Sequence, residues 1–153
     1  MHINLKKKNV LVIGDAMLDT YYSGSVKRIS PEAPVPVFLK SGERSNLGGA
    51  ANVAANLIAA GQSASIMTII GADSYGKIFL KMLKENGIDF SLTLSSELRS
   101  TTVKTRFLAS NHQQLLRVDI ESTNDISKND ENELIDKLKT KISEYDFIIY
   151  LII

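Results

Sequence analysis

The sequence has no cysteine, only two histidines and only three prolines. Without cysteine the chain can form no disulfide, no thiol nucleophile and no cysteine-ligated zinc site. The two histidines, His2 and His112, are too few and too far apart in the sequence for a metal centre. We therefore predict no metal site built from this chain's own side chains.

The chain also lacks an excess of charge of either sign. Its 18 Lys and Arg residues nearly balance its 17 Asp and Glu residues, which gives a formal net charge of +1. No overall field attracts nucleic acid or an anionic membrane, so any anion must be recognised by a local cluster. No apolar run approaches the roughly 20 residues of a membrane span, and the N-terminus has no secretory h-region. These absences predict a soluble cytoplasmic protein with neither nucleic acid nor membrane as a partner.

The remaining composition, 44% hydrophobic and 23% charged, is typical of a globular domain with one core. Apolar runs predict strands at residues 10–13 and 64–70, a hairpin of residues 101–109 and 113–119, and a last strand at 147–153. The first run is continuously apolar and ends at Gly14-Asp15, as in a strand buried on both faces of a parallel sheet. The last run has the composition of a fully buried central strand.

Helical spacings fall between these strands. They predict a helix over residues 50–60 that ends at Gly61, a second helix capped by Asp73 or Ser74, and a third capped by Ser127 with Asp130. The side chains expected on the buried faces of the second and third helices are Tyr75, Ile78, Phe79, Met82, Leu134, Ile135, Leu138 and Ile142. The order of strands and helices predicts an α/β fold with a parallel sheet flanked by helices.

All three prolines, Pro31, Pro34 and Pro36, lie in a polar segment between the first strand and the first helix. Proline donates no backbone hydrogen bond, so it restricts strand pairing to the edges of sheets. We therefore interpret residues 21–44 as a flap of short edge strands outside the main sheet.

Polar residues follow the first strand and open the first helix, which are the two places where α/β proteins bind ligands. Asp15 and Asp19 follow the strand, and Gly48-Gly49 with Asn52 opens the helix. A carboxylate and a carboxamide beside exposed backbone N–H groups suit a polyhydroxylated ligand, because hydroxyls need both acceptors and donors. The alternative is that the aspartates only cap a turn and that the glycines only form a tight one.

The hairpin contributes three cations. If its loop has four residues, Lys104 and Arg106 lie on the same face as Arg117, where together they could hold a phosphate or a carboxylate. A loop one residue longer or shorter would split the cluster. The alternative is a solvated face on which Asp119 and Glu121 neutralise the cations.

The segment Gly48-Gly49-Ala50-Ala51-Asn52-Val53-Ala54, followed by Gly61 and Gly71, resembles the N-terminal signature of the ribokinase-like (PfkB) carbohydrate kinases. More narrowly, residues 14–19, 28–36, 101–106 and 113–119 resemble the D-glycero-β-D-manno-heptose 7-phosphate kinases, which occur alone or fused to an adenylyltransferase. The resemblance implies a ribokinase-like fold with a small β-lid, formed by residues of about 20–45 and 100–119. It extends from about Asn9 to the end of the chain.

The resemblance implies transfer of the γ-phosphoryl group of ATP, assisted by Mg²⁺, to the anomeric hydroxyl of heptose 7-phosphate, on the way to ADP-heptose for lipopolysaccharide. The positions that match sugar-hydroxyl ligands of the family are Asp19, Gly48, Gly49 and Asn52. The cations that we assign to the 7-phosphate, from charge alone, are Lys104, Arg106 and Arg117. The β-lid would close over the sugar and exclude water, and in the family it often forms the contact of a homodimer.

Members of this family are much longer than the present chain. The resemblance implies that residues 1–153 are the truncated, N-terminal part of one kinase domain, with the catalytic base and the ATP site in a C-terminal half outside the chain. We therefore expect the chain alone, which holds the acceptor-site and lid residues, to have no useful turnover. Two alternatives stay open: a non-catalytic sugar-phosphate binding or dimerisation module, and a kinase for another sugar.

Overall fold

The computed structural model describes residues 6–151. In chain order its strands are β1 (Asn9–Gly14), β2 (Ala16–Ile29), β3 (Pro36–Gly49), β4 (Ser63–Met67), β5 (Ile69–Gly71), β6 (Leu94–Ser96), β7 (Val103–Leu108), β8 (Gln114–Ile120) and β9 (Phe147–Leu151). Its helices are α1 (Ala50–Ala59), α2 (Ser74–Glu85) and α3 (Lys128–Lys141), and a short 3-10 helix at Ile142–Glu144 follows α3. The predicted α/β class is confirmed.

The main sheet contains three parallel strands in the order β4-β1-β9. The central strand is β1, in which Leu11 and Val12 are fully buried. Val12 packs in a cluster with alanines of α1, and Leu11 packs on the other face in a cluster with Leu134 of α3. A strand that is covered on both faces has to be apolar throughout, which explains the continuous run that the sequence shows.

The final strand has the composition of a fully buried central strand, but the structure covers it only in part. β9 pairs with β1 on one side, and within residues 6–151 no strand lies along its other side. Phe147 and Tyr150 are therefore 59% and 68% exposed. Ile152 and Ile153, the last residues of the predicted strand, lie outside the described residues.

The strand predicted over residues 64–70 is in fact two strands. β4 belongs to the main sheet, whereas β5 pairs with β6 in a separate two-stranded sheet. Between them the backbone carbonyl of Thr68 accepts a hydrogen bond from the N–H of Leu94 at 3.0 Å, which directs the chain toward β6. Hydrophobic periodicity cannot detect this break, because both strands are apolar.

A second sheet, called the lid sheet from here on, has the strand order β3-β2-β7-β8. The prediction of short edge strands is wrong: β2 and β3 have 14 residues each, and β2 is a central strand between β3 and β7. The prolines are compatible with these long strands because Pro31 and Pro34 lie in the connection and Pro36 is the first residue of β3. The base of the lid sheet packs on the core through Leu18 and Val103.

The helix caps agree with the sequence prediction. Asp73 accepts a hydrogen bond from the backbone N–H of Gly76 at 2.7 Å, and Ser127 accepts one from the N–H of Asp130 at 3.1 Å. The carboxylate of Asp130 in turn accepts a hydrogen bond from Oγ of Ser96 at 2.9 Å, which ties the start of α3 to β6.

The buried face of α2 is rotated from its predicted position. Tyr75 and Ile78 are exposed, although Phe79 is buried as predicted. Gly76 explains the rotation, because it lies so close to the end of β5 that a Cβ there would stand 2.2 Å from the carbonyl oxygen of Gly71. Only a glycine allows this side of the helix to approach the strand.

The buried face of α3 is narrower than predicted. Leu134 is buried and Leu138 packs beside it, whereas Ile135 and Ile142 are 40% and 45% exposed. None of the helices in the described part of the chain is long and apolar enough to cross a membrane.

Candidate functional site

The lid sheet has a polar face and an apolar face, because side chains alternate along each strand. The polar lid face consists of two neighbouring cross-strand rows. The aspartate row contains Asn46, Asp19, Lys104 and Asp119. The arginine row contains Arg44, Tyr21, Arg106 and Arg117. The three hairpin cations are therefore on one face, as the sequence analysis requires for a shared site.

A β-bulge produces this arrangement. Between β7 and β8 the backbone N–H of Ala109 donates to the carbonyl of Gln113, which encloses a three-residue loop of residues 110–112. This loop alone would turn Arg117 to the opposite face from Arg106. Between Phe107 and Leu108, however, the pairing shifts by one residue, so that Arg106 lies directly opposite Arg117. The bulge thus restores the register that a four-residue loop would have given.

Asp19 is held between β3 and β7. Nη1 of Arg106 donates a hydrogen bond to Oδ1 of Asp19 at 2.5 Å. On the other side the carboxylate lies against Gly48, where an added Cβ would stand 2.4 Å from Oδ2 of Asp19. The hydrogen bond to Asp19 raises the pKa of Arg106. Asp19 is thus a charged acceptor with a defined orientation.

Lys104 is bound by two carboxylates. Its Nζ donates to Glu121 at 3.0 Å and to Asp119 at 3.2 Å, and the hydrogen bond to Glu121, followed by that to Asp119, raises the pKa of Lys104. Burial acts to raise the pKa of Asp119, but Lys104 and Arg117 together hold it below its ordinary value. For Lys104 the structure therefore shows the neutralised arrangement that the sequence leaves open as the alternative.

The glycine pair forms the start of α1. Gly49 is the N-cap with φ 57°, and no side chain caps the helix. The backbone N–H of Ala50 donates to the carbonyl of Asp15 at 2.8 Å, which fixes the helix start beside the end of β1. Asn52 is exposed in the first turn. Backbone N–H groups at the positive end of the helix dipole can bind hydroxyl or anionic groups here.

A cleft of about 860 Å³ lies between the base of the lid sheet and the carboxyl edge of the main sheet. Asp15 and Tyr150 line it from the main sheet, and Met17 and Lys104 from the lid sheet. The loop after β8 closes one side, beginning with Glu121. The volume is within the range of small-molecule sites.

The structure brings Asp19, Gly48 and Arg106 into contact and leaves Gly49 and Asn52 at the neighbouring helix start. Sequence reasoning missed Tyr21, Arg44 and Asn46. Arg44 lies over the ring of Tyr21 at 4.7 Å from its centroid, and Arg106 lies at 5.4 Å from the same ring. The sequence signal that could have identified them is a long antiparallel hairpin with its turn at the prolines. Such a hairpin places Arg44 opposite Tyr21 and Asn46 opposite Asp19, whereas short edge strands predict no pairing between these residues.

Comparisons with known proteins are consistent with the fold. The family model described as "pfkB family carbohydrate kinase" matches residues 7–148. The chain is 44% identical over 142 residues to the bifunctional protein HldE of Helicobacter pylori (strain P12), a match that covers 93% of this chain and 31% of that protein.

Two solved structures are similar in fold. A carbohydrate kinase from Agrobacterium tumefaciens has a TM-score of 0.68 at 20% identity, over 94% of this chain and 45% of that chain. Arabidopsis thaliana ribokinase, complexed with ribose and ATP, has a TM-score of 0.63 at 18% identity, over 86% of this chain and 43% of that chain. These similarities confirm the predicted ribokinase-like fold. The chain spans about a third of the length of the curated relatives that it matches and under half of these two structures.

Proposed function

The chain belongs to the PfkB family of carbohydrate kinases, and from this premise we propose that it forms the sugar-binding side of a kinase. The proposed reaction is ATP-dependent phosphorylation of D-glycero-β-D-manno-heptose 7-phosphate at its anomeric hydroxyl, which would supply ADP-heptose synthesis for lipopolysaccharide. The observation that supports it most directly is the carboxylate of Asp19, which Arg106 orients beside Gly48 on a face rich in cations.

Each proposed residue has a chemical role. Asp19 accepts hydrogen bonds from sugar hydroxyls, and Gly48 leaves room for its carboxylate. Gly49 and Asn52 present backbone and amide donors at the start of α1. The residues proposed to bind the phosphate ester are Lys104, Arg106 and Arg117.

The lid sheet is proposed to cover the sugar bound at Asp19 and the start of α1 and to exclude water, which competes as a phosphoryl acceptor. Its other side, the apolar lid face, comprises Tyr22, Phe38, Phe107, Leu116, Val118 and Ile120. Leu116 is 56% exposed and Val118 is 44% exposed. A contiguous exposed apolar surface of this kind is typical of protein interfaces, so we propose that two copies of the chain form a homodimer through it.

ATP is the proposed phosphoryl donor, and it is the nucleotide bound to the similar Arabidopsis ribokinase. Mg²⁺ would neutralise charge during the transfer. In the part of the chain that the structure describes, no group of three or more acidic or histidine side chains is placed to hold a metal ion. We therefore assign no residue of this chain to ATP, to Mg²⁺ or to the catalytic base.

A chimera tests the proposal. Residues of this chain replace the matching segment of the Helicobacter HldE protein, to which they are 44% identical, and ADP release is measured with ATP and heptose 7-phosphate. We expect the chimera to phosphorylate heptose 7-phosphate, and Asp19→Asn in the chimera to lower kcat/KM by about 100-fold, because an oriented charged acceptor is lost. Asp136→Asn, at an exposed position on α3, is the matched control.

The same chimera separates the alternatives. A folded chimera that binds heptose 7-phosphate in calorimetry but does not phosphorylate any sugar would replace the kinase proposal with a binding or dimerisation module. A chimera that phosphorylates a different sugar with higher kcat/KM would retain the kinase and change the acceptor.

A further inference from the structure

The arginine row is electrostatically unusual. It presents Arg44, Arg106 and Arg117 around Tyr21 and contains no carboxylate of its own. Arg106 and Arg117 are directly opposite each other on neighbouring strands, and like charges in that position destabilise a sheet. Asp19 and Asp119, in the adjacent aspartate row, offset part of this repulsion. Three guanidinium groups in one row, only two of which pair with a carboxylate, suit a ligand that carries negative charge.

Arg44 is the member of this row with the most unused hydrogen-bonding capacity. Arg106 and Arg117 each pair with an aspartate, whereas Arg44 forms no ion pair with any of residues 6–151. Its guanidinium lies over the ring of Tyr21 at 4.7 Å, with Arg106 near the same ring at 5.4 Å. Arg44 from β3 and Arg106 from β7 thus concentrate positive charge around one tyrosine ring, which suits the binding of a phosphate.

The spacing between the two rows also matches one ligand. Successive residues on the same face of a strand have Cα atoms about 7 Å apart, so the backbone of the arginine row lies about that distance along the strand from Asp19, while the Arg106 side chain reaches back to the Asp19 carboxylate. A sugar whose ring hydroxyls bind Asp19 would thus direct a terminal phosphate ester along the strands toward Arg44. Lys104, also proposed to bind the phosphate ester, lies in the aspartate row and shares its charge with two carboxylates.

We propose that Arg44 is a phosphate-binding and specificity-determining residue, which together with Arg106 and Tyr21 selects a phosphorylated sugar over the same sugar without phosphate. The inference rests on the proposed function for the identity of the sugar, but its anion-binding part stands on the arginine row alone.

Calorimetric titration of the chain tests the proposal with three probes: heptose 7-phosphate, the same heptose without phosphate, and inorganic phosphate. We expect Arg44→Gln to weaken binding of heptose 7-phosphate by about tenfold or more, since a charge-assisted hydrogen bond is lost. Binding of the unphosphorylated heptose should change by less than about twofold, and Arg44→Lys should restore part of the affinity.

Lys40→Gln is the matched control. Like Arg44, Lys40 lies on β3 and covers a tyrosine ring: its Nζ is 4.1 Å from the ring centroid of Tyr22. Lys40 differs from Arg44 in lying on the apolar side of the sheet and in pairing with Glu43. The Lys40→Gln substitution should leave the affinity for all three probes unchanged. Thermal unfolding of each variant shows whether it is still folded. If Arg44→Gln is not folded, the affinities of Arg44→Lys and of the unaltered chain are compared instead.

The outcomes are distinct. If the unaltered chain binds heptose 7-phosphate and Arg44→Gln leaves that affinity intact, or weakens both sugars equally, the inference is overturned while the proposed function stands. If inorganic phosphate binds through Arg44 but neither sugar binds, the phosphate site stands and the proposed acceptor is wrong. Failure of the chain to bind either phosphate-bearing probe overturns the inference.

Discussion

At the scale of single residues, the geometry of the site depends on a glycine as well as on its charged groups. Gly48 lies in β3 next to Met17 and Asp19 of β2, and its missing side chain is what leaves room for the Asp19 carboxylate. The sequence motif identified Gly48 as a site residue. The reason for it, a close approach within a sheet rather than a tight turn, is visible only once the two strands are paired.

Gly48→Ala should therefore move Asp19 and break its hydrogen bond with Arg106. A new Cβ would stand 2.4 Å from Oδ2 of Asp19 and 2.7 Å from Cγ of Met17. We expect affinity for heptose 7-phosphate to fall by at least about tenfold, with a loss of about 1–3 kcal/mol in the free energy of unfolding. Calorimetry and denaturant unfolding measure the two effects.

Gly42→Ala on the same strand is the control. There the nearest atom to a new Cβ is Cβ of Ser23, at an ordinary contact distance of 3.9 Å. Similar losses in both variants would show that β3 is sensitive to any substitution and that the position of Asp19 is not the cause.

At the scale of elements, the caps were predictable and the buried faces were only partly so. Asp73 caps α2 as predicted and also accepts hydrogen bonds from the backbone N–H and the hydroxyl of Thr101, both at 2.8 Å, which joins the helix to the segment that leads into β7. A cap is a local pattern of a few residues, so it can be identified in the sequence. The second partner is 28 residues away and depends on the fold.

Asp73→Ala should lower the free energy of unfolding by about 2 kcal/mol or more, because it removes a helix cap and the acceptor of the Thr101 backbone N–H. Asp136→Ala, on the exposed surface of α3, should change it by less than about 0.5 kcal/mol. Urea unfolding at pH 7 compares them, and a loss of the same size in both variants would contradict the role given to Asp73.

The effect of Asp73 should also depend on pH in a defined direction. Burial acts to raise the pKa of Asp73, but hydrogen bonds from Thr101 and Gly76 outweigh it and lower the pKa below its ordinary 3.8. A lowered pKa in the folded state means that the stabilisation is complete above that ordinary value and is lost as the pH falls through the folded pKa. The difference in unfolding free energy between the unaltered chain and Asp73→Asn should thus be constant from pH 5 to 7 and shrink below about pH 4. A difference that grows on acidification would contradict this.

At the scale of the whole molecule, the lid sheet presents its polar face to the proposed ligand and its apolar face to solvent. Leu116→Lys on the apolar lid face should convert the proposed homodimer to a monomer, since it places a charge at the centre of the contact. Light scattering on a sizing column measures the mass over a range of concentrations. Leu98→Lys, at a position 77% exposed outside the lid sheet, should leave the mass unchanged. A monomeric unaltered chain at every concentration would refute the dimer.

The sequence by itself determined the class of fold, the order of the main-sheet strands and helices, and most of the residues assigned to the sugar, because buried strands, caps and glycine motifs are local patterns. Only the tertiary structure decided that Arg44 and Tyr21 belong to the same face as Asp19, and that Arg117 lies opposite Arg106. Those relations depend on strand pairing and on a single β-bulge between Phe107 and Leu108, and a shift of one residue reverses every side chain on a strand. Register between distant strands is set by the packing of the whole molecule, which no local stretch of sequence contains.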